Sequence, residues 1–159
     1  WWKVGGIVST IKVDTYLTRG GASEIAIDKL KGASSAGSMT VVGEGGSTTT
    51  NLQQGLCKAW AFKQSSGGGI TDSLNMSSID DDGTGDYGLN YTNAFSNVAY
   101  IPNQNVRGGV AAGNSDGHFA EVQTCNTTSA ECQNWYGDAS TNATFIDWEV
   151  RHTFFGDLA

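Results

Sequence analysis

Residues 7 to 17 place Ile7, Ile11, Val13 and Leu17 on odd positions and Thr10, Lys12, Asp14 and Tyr16 on even ones. This period of two predicts a half-buried strand. Arg19 to Ser23 then reads as a turn. Ile25 and Ile27 share a face of a second strand, and Met39 and Val41 of a third. Asn51 to Leu56 suits a short helix carrying Leu52 and Leu56, capped by Thr50 or Asn51. Cys57 to Lys63 (CKAWAFK) alternates large and small: Trp60 and Phe62 on one side, Ala59 and Ala61 on the other. This predicts a strand covered on both faces, its small side close to a neighbour. Ile70, Leu74 and Met76 share a parity on the next strand. Tyr87, Leu89 and Tyr91 form a returning strand after an Asp-Gly turn, hence a hairpin. Val98, Tyr100 and Pro102 mark an edge strand. Phe119 to Cys125 suits a strand, whereas 103–117 and 126–141 read as loops. The clearest alternation is the last: Ile146, Trp148, Val150, His152 and Phe154 against Asp147, Glu149, Arg151 and Thr153.

Many short strands with frequent turn signals predict an all-β chain. Composition agrees. Gly fills 22 of the 159 positions, Pro 1, Ser and Thr together 31, and Asn 11, a mixture that disfavours long helices. The stretch 43–50 (GEGGSTTT) holds no apolar residue and reads as a flexible linker. The boundary is therefore placed at 44–50, with a segment 1–43 before it and an antiparallel sandwich over 51–159. The first segment has few large apolar residues and needs a partner surface to fold.

The net charge is -7, and Lys and Arg are scattered, so a nucleic-acid phosphate backbone is an unsuitable partner. No apolar run approaches the roughly 20 residues that span a bilayer, so membrane insertion is not expected. The chain opens Trp1-Trp2-Lys3 with no signal peptide in view, so localisation cannot be read from that end.

Candidate chemistry is sparse. Cys57, Cys125 and Cys132 fit no zinc spacing. Cys125 and Cys132 bracket a polar loop and could close it as a disulfide, or remain thiols. Cys57 suits a small core position. Asp80, Asp82, Thr84 and Asp86 imitate part of a calcium loop, but Tyr91 stands where an EF-hand has its Glu, so a solvated hairpin turn fits better. His118 follows Ser115 and Asp116 without a nucleophile elbow. His152 lies on the apolar face of the last strand and suits a hydrogen-bonded core position. Glu121, Glu131, Asp147 and Glu149 could be drawn as glycosidase pairs, though nothing in the sequence singles out two of them. Trp60 and Trp148 fall on apolar faces and suit core positions. Trp135 and Tyr136 lie in the polar 126–141 stretch and suit contact with a partner. The residues point to no catalytic set, metal or cofactor.

The run Thr49 to Trp60 (TTNLQQGLCKAW) resembles the TNLQQGLAKAW segment of bacteriophage fibre proteins, many from marine phages. Ile70 to Ile79 and Asp82 to Tyr87 are similar to their IRDSFNVSSITDNGTGDY pattern. Ser9 to Thr15 resembles their GTLKVDTI opening, and Phe155 to Ala159 their C-terminus. Residues 103 to 143 show no such likeness. The resemblance implies a virion fibre or appendage subunit, a homotrimer, with no enzymatic activity and no cofactor. Residues 1–43 would then attach and trimerise, and 51–159 would form a jelly-roll-like head. Trp1, Trp2 and Val4 are an apolar tip suited to docking on capsid, neck or tail proteins. Loops in 103–143 would meet a host surface glycan or protein. Two other expectations stand beside this one: a capsid or neck decoration protein without host contact, and a secreted carbohydrate-binding or hydrolytic β-domain.

Overall fold

The computed structural model describes residues 28–32, 34–35, 38–65, 69–107, 117–137 and 144–159. The strands expected at 7–17 and 25–27, and Trp1, Trp2 and Val4, lie outside these residues. The chain divides into compact units 1–31 and 32–159. The second unit is antiparallel β.

A two-stranded ribbon comes first, β1 (Thr40–Val42) paired with β2 (Thr49–Asn51). The stretch expected to be a linker is its turn: the Gly43 N–H donates to the Thr48 carbonyl at 2.8 Å. Helix α1 (Leu52–Gly55) follows, capped as expected. The Asn51 carboxamide oxygen accepts from the Gln53 and Gln54 N–H groups at 2.8 and 3.2 Å.

Two larger sheets share one core. The first has order β4-β3-β11-β7, from β3 (Ala59–Lys63), β4 (Ile70–Leu74), β7 (Ile101–Arg107) and β11 (Glu149–Phe155). The second contains β5 (Met76–Gly83), β6 (Asp86–Tyr91), β8 (Gly117–Cys125), β9 (Ser129–Gly137) and β10 (Thr144–Phe145). Here β9 is central. It pairs β8 along one edge, and β6 followed by β10 along the other. Ala59, Ala61 and Phe154 of the first sheet pack with Tyr87, Leu89, Tyr91, Ala130 and Cys132 of the second. The small side of β3 is thus the core side, and its alanines admit the large rings opposite. Trp60 faces away from this core, contrary to the expectation from its apolar neighbours.

Asn75 stands between β4 and β5 with φ 60°, a left-handed conformation that Asn tolerates. Its carboxamide oxygen accepts from the Asn93 N–H at 2.7 Å. The chain passes there from one sheet to the other. The shared parity expected for Ile70, Leu74 and Met76 is broken twice: an irregularity in the β3–β4 pairing sets Ile70 opposite Lys63, and the passage at Asn75 separates outward Leu74 from core-facing Met76. The aromatic rings of Tyr91, Phe95, Tyr100 and Phe154 close one end of the core at centroid separations of 4.3 to 5.9 Å. The chain's end is tied to this cluster, with the Ala159 N–H donating to the Ala94 carbonyl at 2.9 Å.

Candidate functional site

Trp135 and Tyr136 are not in a loop. They lie in β9, whose strand character the sequence concealed because its inward residues are Ala130, Cys132 and Asn134, small or polar where a core strand usually carries branched aliphatics. Adjacent strand residues point to opposite faces. The two aromatics therefore serve different surfaces, and no single patch holds both.

Trp135 points outward. Register places it between Phe119 of β8 and Phe145 of β10. The Phe119 and Trp135 rings stack at 5.8 Å and 21°. Phe119 and Phe145 are each 49% exposed. Three aromatics in one cross-strand row make a flat apolar strip open to solvent. Along the same face run Glu121, Gln133, Glu131, Asp86, Gly88, Asn90 and Asp80, as the pairing of β5, β6, β8 and β9 requires. The carboxamides and carboxylates here bond to one another: Asn90 donates to Asp80 at 2.8 Å, and Gln123 bonds to Gln133. No strand residue sharing this face among those described is cationic. Tyr136 points the other way, at 6.1 Å from Trp148, which packs on His118 at 3.8 Å between ring centroids.

The remaining candidates separate. Cys57, Cys125 and Cys132 are all free thiols, so the disulfide expected as one option is not formed. The β8–β9 register explains this: Cys125 stands opposite Ala130, and Cys132 opposite Val122. The supposed loop between them is a tight turn, closed by the Asn126 N–H donating to the Ser129 carbonyl at 2.9 Å. Asp80 to Asp86 forms the β5–β6 hairpin, with Asp81 accepting from the Gly83 N–H at 3.2 Å. Among the described residues no three His, Cys, Asp or Glu side chains gather as a metal site. Asp116 lies outside them. Glu121 and Glu131 share the outer face of β8 and β9. Glu149 lies on the other sheet, bonded to Arg107 at 3.2 Å, and Asp147 stands 4.0 Å from Lys63.

His152 is buried and hydrogen-bonded. The Gln104 carboxamide NH2 donates to its Nδ1 (3.1 Å), its Nε2–H donates to the Tyr87 hydroxyl (2.9 Å), and that hydroxyl donates to Asn134 (3.2 Å). Donor and acceptor capacities agree along this chain for one neutral imidazole tautomer. Burial, then the neighbouring Lys63 charge, pushes the imidazole pKa down to about 3. Burial also lowers the pKa of Lys63, against the attraction of Asp147 and Asp81. It raises that of Tyr87, and that of the Cys132 thiol. A raised thiol pKa suits an inert core cysteine and not a nucleophile. Nothing in the sequence marked Gln104, Tyr87 and Asn134 as partners, because they come from three strands distant along the chain. Replacing Tyr87 by Phe keeps the ring and removes the hydroxyl that two buried groups share. We expect a loss of about 1–3 kcal/mol, read as a lower denaturant midpoint at unchanged slope.

No family model matches the chain, and neither the curated proteins nor the solved structures compared with it give a match.

Proposed function

We propose that the chain is a non-enzymatic structural subunit of a phage particle: a trimeric fibre or appendage attached through residues 1–43, with a jelly-roll-like head that meets a host surface. The observation that carries this is the outward row Phe119–Trp135–Phe145. Burying such a strip against a partner gains apolar area and aromatic contact, and Trp is a frequent anchor of interfaces. Two of its three members fall within the 103–143 segment, where the resemblance to phage fibres stops. The residues that carry the resemblance hold structural positions instead. Asn51 caps α1, and Gly83 and Gly85 turn the β5–β6 hairpin.

An antibody raised against the purified chain should decorate an appendage of intact particles. On those particles Trp135→Ala should lower adsorption to host cells by about 30-fold, the effect of losing a contact of about 2 kcal/mol, with the far-ultraviolet β signature unchanged. Label confined to cells, with none on particles, would overturn the proposal. It would favour a second reading that the same strip supports, a secreted carbohydrate-binding domain in which sugar rings lie on the aromatic row. That reading requires retention on an immobilised polysaccharide and its loss in Trp135→Ala.

A further inference from the structure

We infer that the outer face of the β4-β3-β11-β7 sheet is the surface on which copies of this chain meet. Strand β3 is apolar on both sides. Its alanines are covered by the second sheet, whereas Trp60 and Phe62 face outward and are only half-buried. Register aligns Trp60 with Leu74 on one side and Thr153 on the other, and sets Phe155 beside Ile101. Leu74 is 47% exposed and Ile101 68%. This is an apolar face wider than isolated surface residues produce.

Charge selects the occupant. The chain carries -7 overall, so most approaches of one copy to another are repulsive. The two outer faces differ. The face of the second sheet holds Asp80, Asp86, Glu121 and Glu131, with no cation among its described strand residues, and like charges there oppose a second copy. Among the described strand residues the face around β3 holds two of each sign: Arg107 and Arg151 against Asp72 and Glu149, a sum of zero. Arg107 bonds Glu149, and the Arg151 guanidinium lies 4.8 Å over the Phe62 ring. Such a face is self-complementary: an arginine of one copy can meet an acid of the next around an apolar centre. The two faces thereby divide their work, one for self-association and one for a different partner.

This inference rests on the appendage proposal only in taking self-association as part of the function. Light scattering on the full chain over a range of concentrations tests it. The mass of the wild type should be a multiple of 16.7 kDa. Leu74→Glu with Ile101→Glu should return it to a single chain with its β signature intact. Phe119→Glu with Phe145→Glu, on the opposite face, should leave the assembled mass unchanged. Should the double variant fail to fold, Ile101→Glu alone alters the more exposed position and should weaken the assembly at least tenfold. An assembled wild type whose mass survives Ile101→Glu overturns this inference and leaves the appendage proposal standing, with assembly assigned to residues 1–43. A wild type of single-chain mass at every concentration overturns both.

Discussion

Gly85→Ala is expected to destabilise the fold by about 3–5 kcal/mol, lowering the melting temperature by about 10 °C or more. Gly85 has φ +70°, where an L side chain is strained, and a Cβ there would collide with the Asn134 carbonyl oxygen and stand 2.7 Å from the Ile146 nitrogen. Both obstacles are backbone, so no rotamer change relieves them. They also carry backbone hydrogen bonds: the Asn134 N–H donates to the Gly85 carbonyl at 2.7 Å, and the Ile146 N–H to the Asn134 carbonyl at 3.2 Å. The β5–β6 turn, β9 and the segment after β10 must shift together. Gly46→Ala separates the two causes. Gly46 has a similar φ of +76° but nothing within 4 Å of an added Cβ, so only the conformational cost of about 1–2 kcal/mol applies. Equal melting shifts in the two variants would show that the crowding at Gly85 costs nothing.

The second large effect concerns acid. His152 has a pKa of about 3 in the fold against an ordinary 6.5. Between these values the unfolded chain binds the extra proton. The stability contributed by His152 is therefore full above pH 6.5 and declines as the pH falls toward 3. One pH unit is worth about 1.4 kcal/mol, so the contribution lost reaches about 4–5 kcal/mol over the window. His152→Gln keeps amide donor and acceptor groups and removes the titration. Unfolding measured from pH 7 to pH 4 should show a shallower loss in that variant than in the wild type. Parallel curves would exclude His152 as the source.

Residues with their own local signal were legible in the sequence. The α1 cap, the Asp-Gly hairpin and the Val150–Phe154 alternation each announce themselves through turn chemistry or period, whereas β7 extends from Pro102 into the expected loop, its strand character hidden by polar Asn103, Gln104 and Asn105. Strand β9 is hidden too, because its core side is Ala, Cys and Asn. Gly, Ser and Thr at 43–48 suit a linker and a turn equally, and only the partner strands decide between them. Trp60 shares an aromatic parity with Phe62, which suits a core face as well as an outer one. Period two divides a strand into faces without saying which is the core, and here the alanines are. Of the candidate site, Trp135 stands out in the sequence as an aromatic in a polar stretch. The row it forms does not, since register sets Phe119 and Phe145 beside it.

The hydrogen-bonded chain Gln104–His152–Tyr87–Asn134 draws one residue from each of β7, β11, β6 and β9. A slip of β11 by two positions, which keeps its faces, would put Val150 or Phe154 in place of the imidazole and leave Gln104 and the Tyr87 hydroxyl without that partner. Apolar packing alone opposes that slip less, since the residues that face the core stay on that side. The polar chain thus acts as a key cut for one alignment of the two sheets. It selects the native pairing over near misses, a service to uniqueness that a melting temperature does not record.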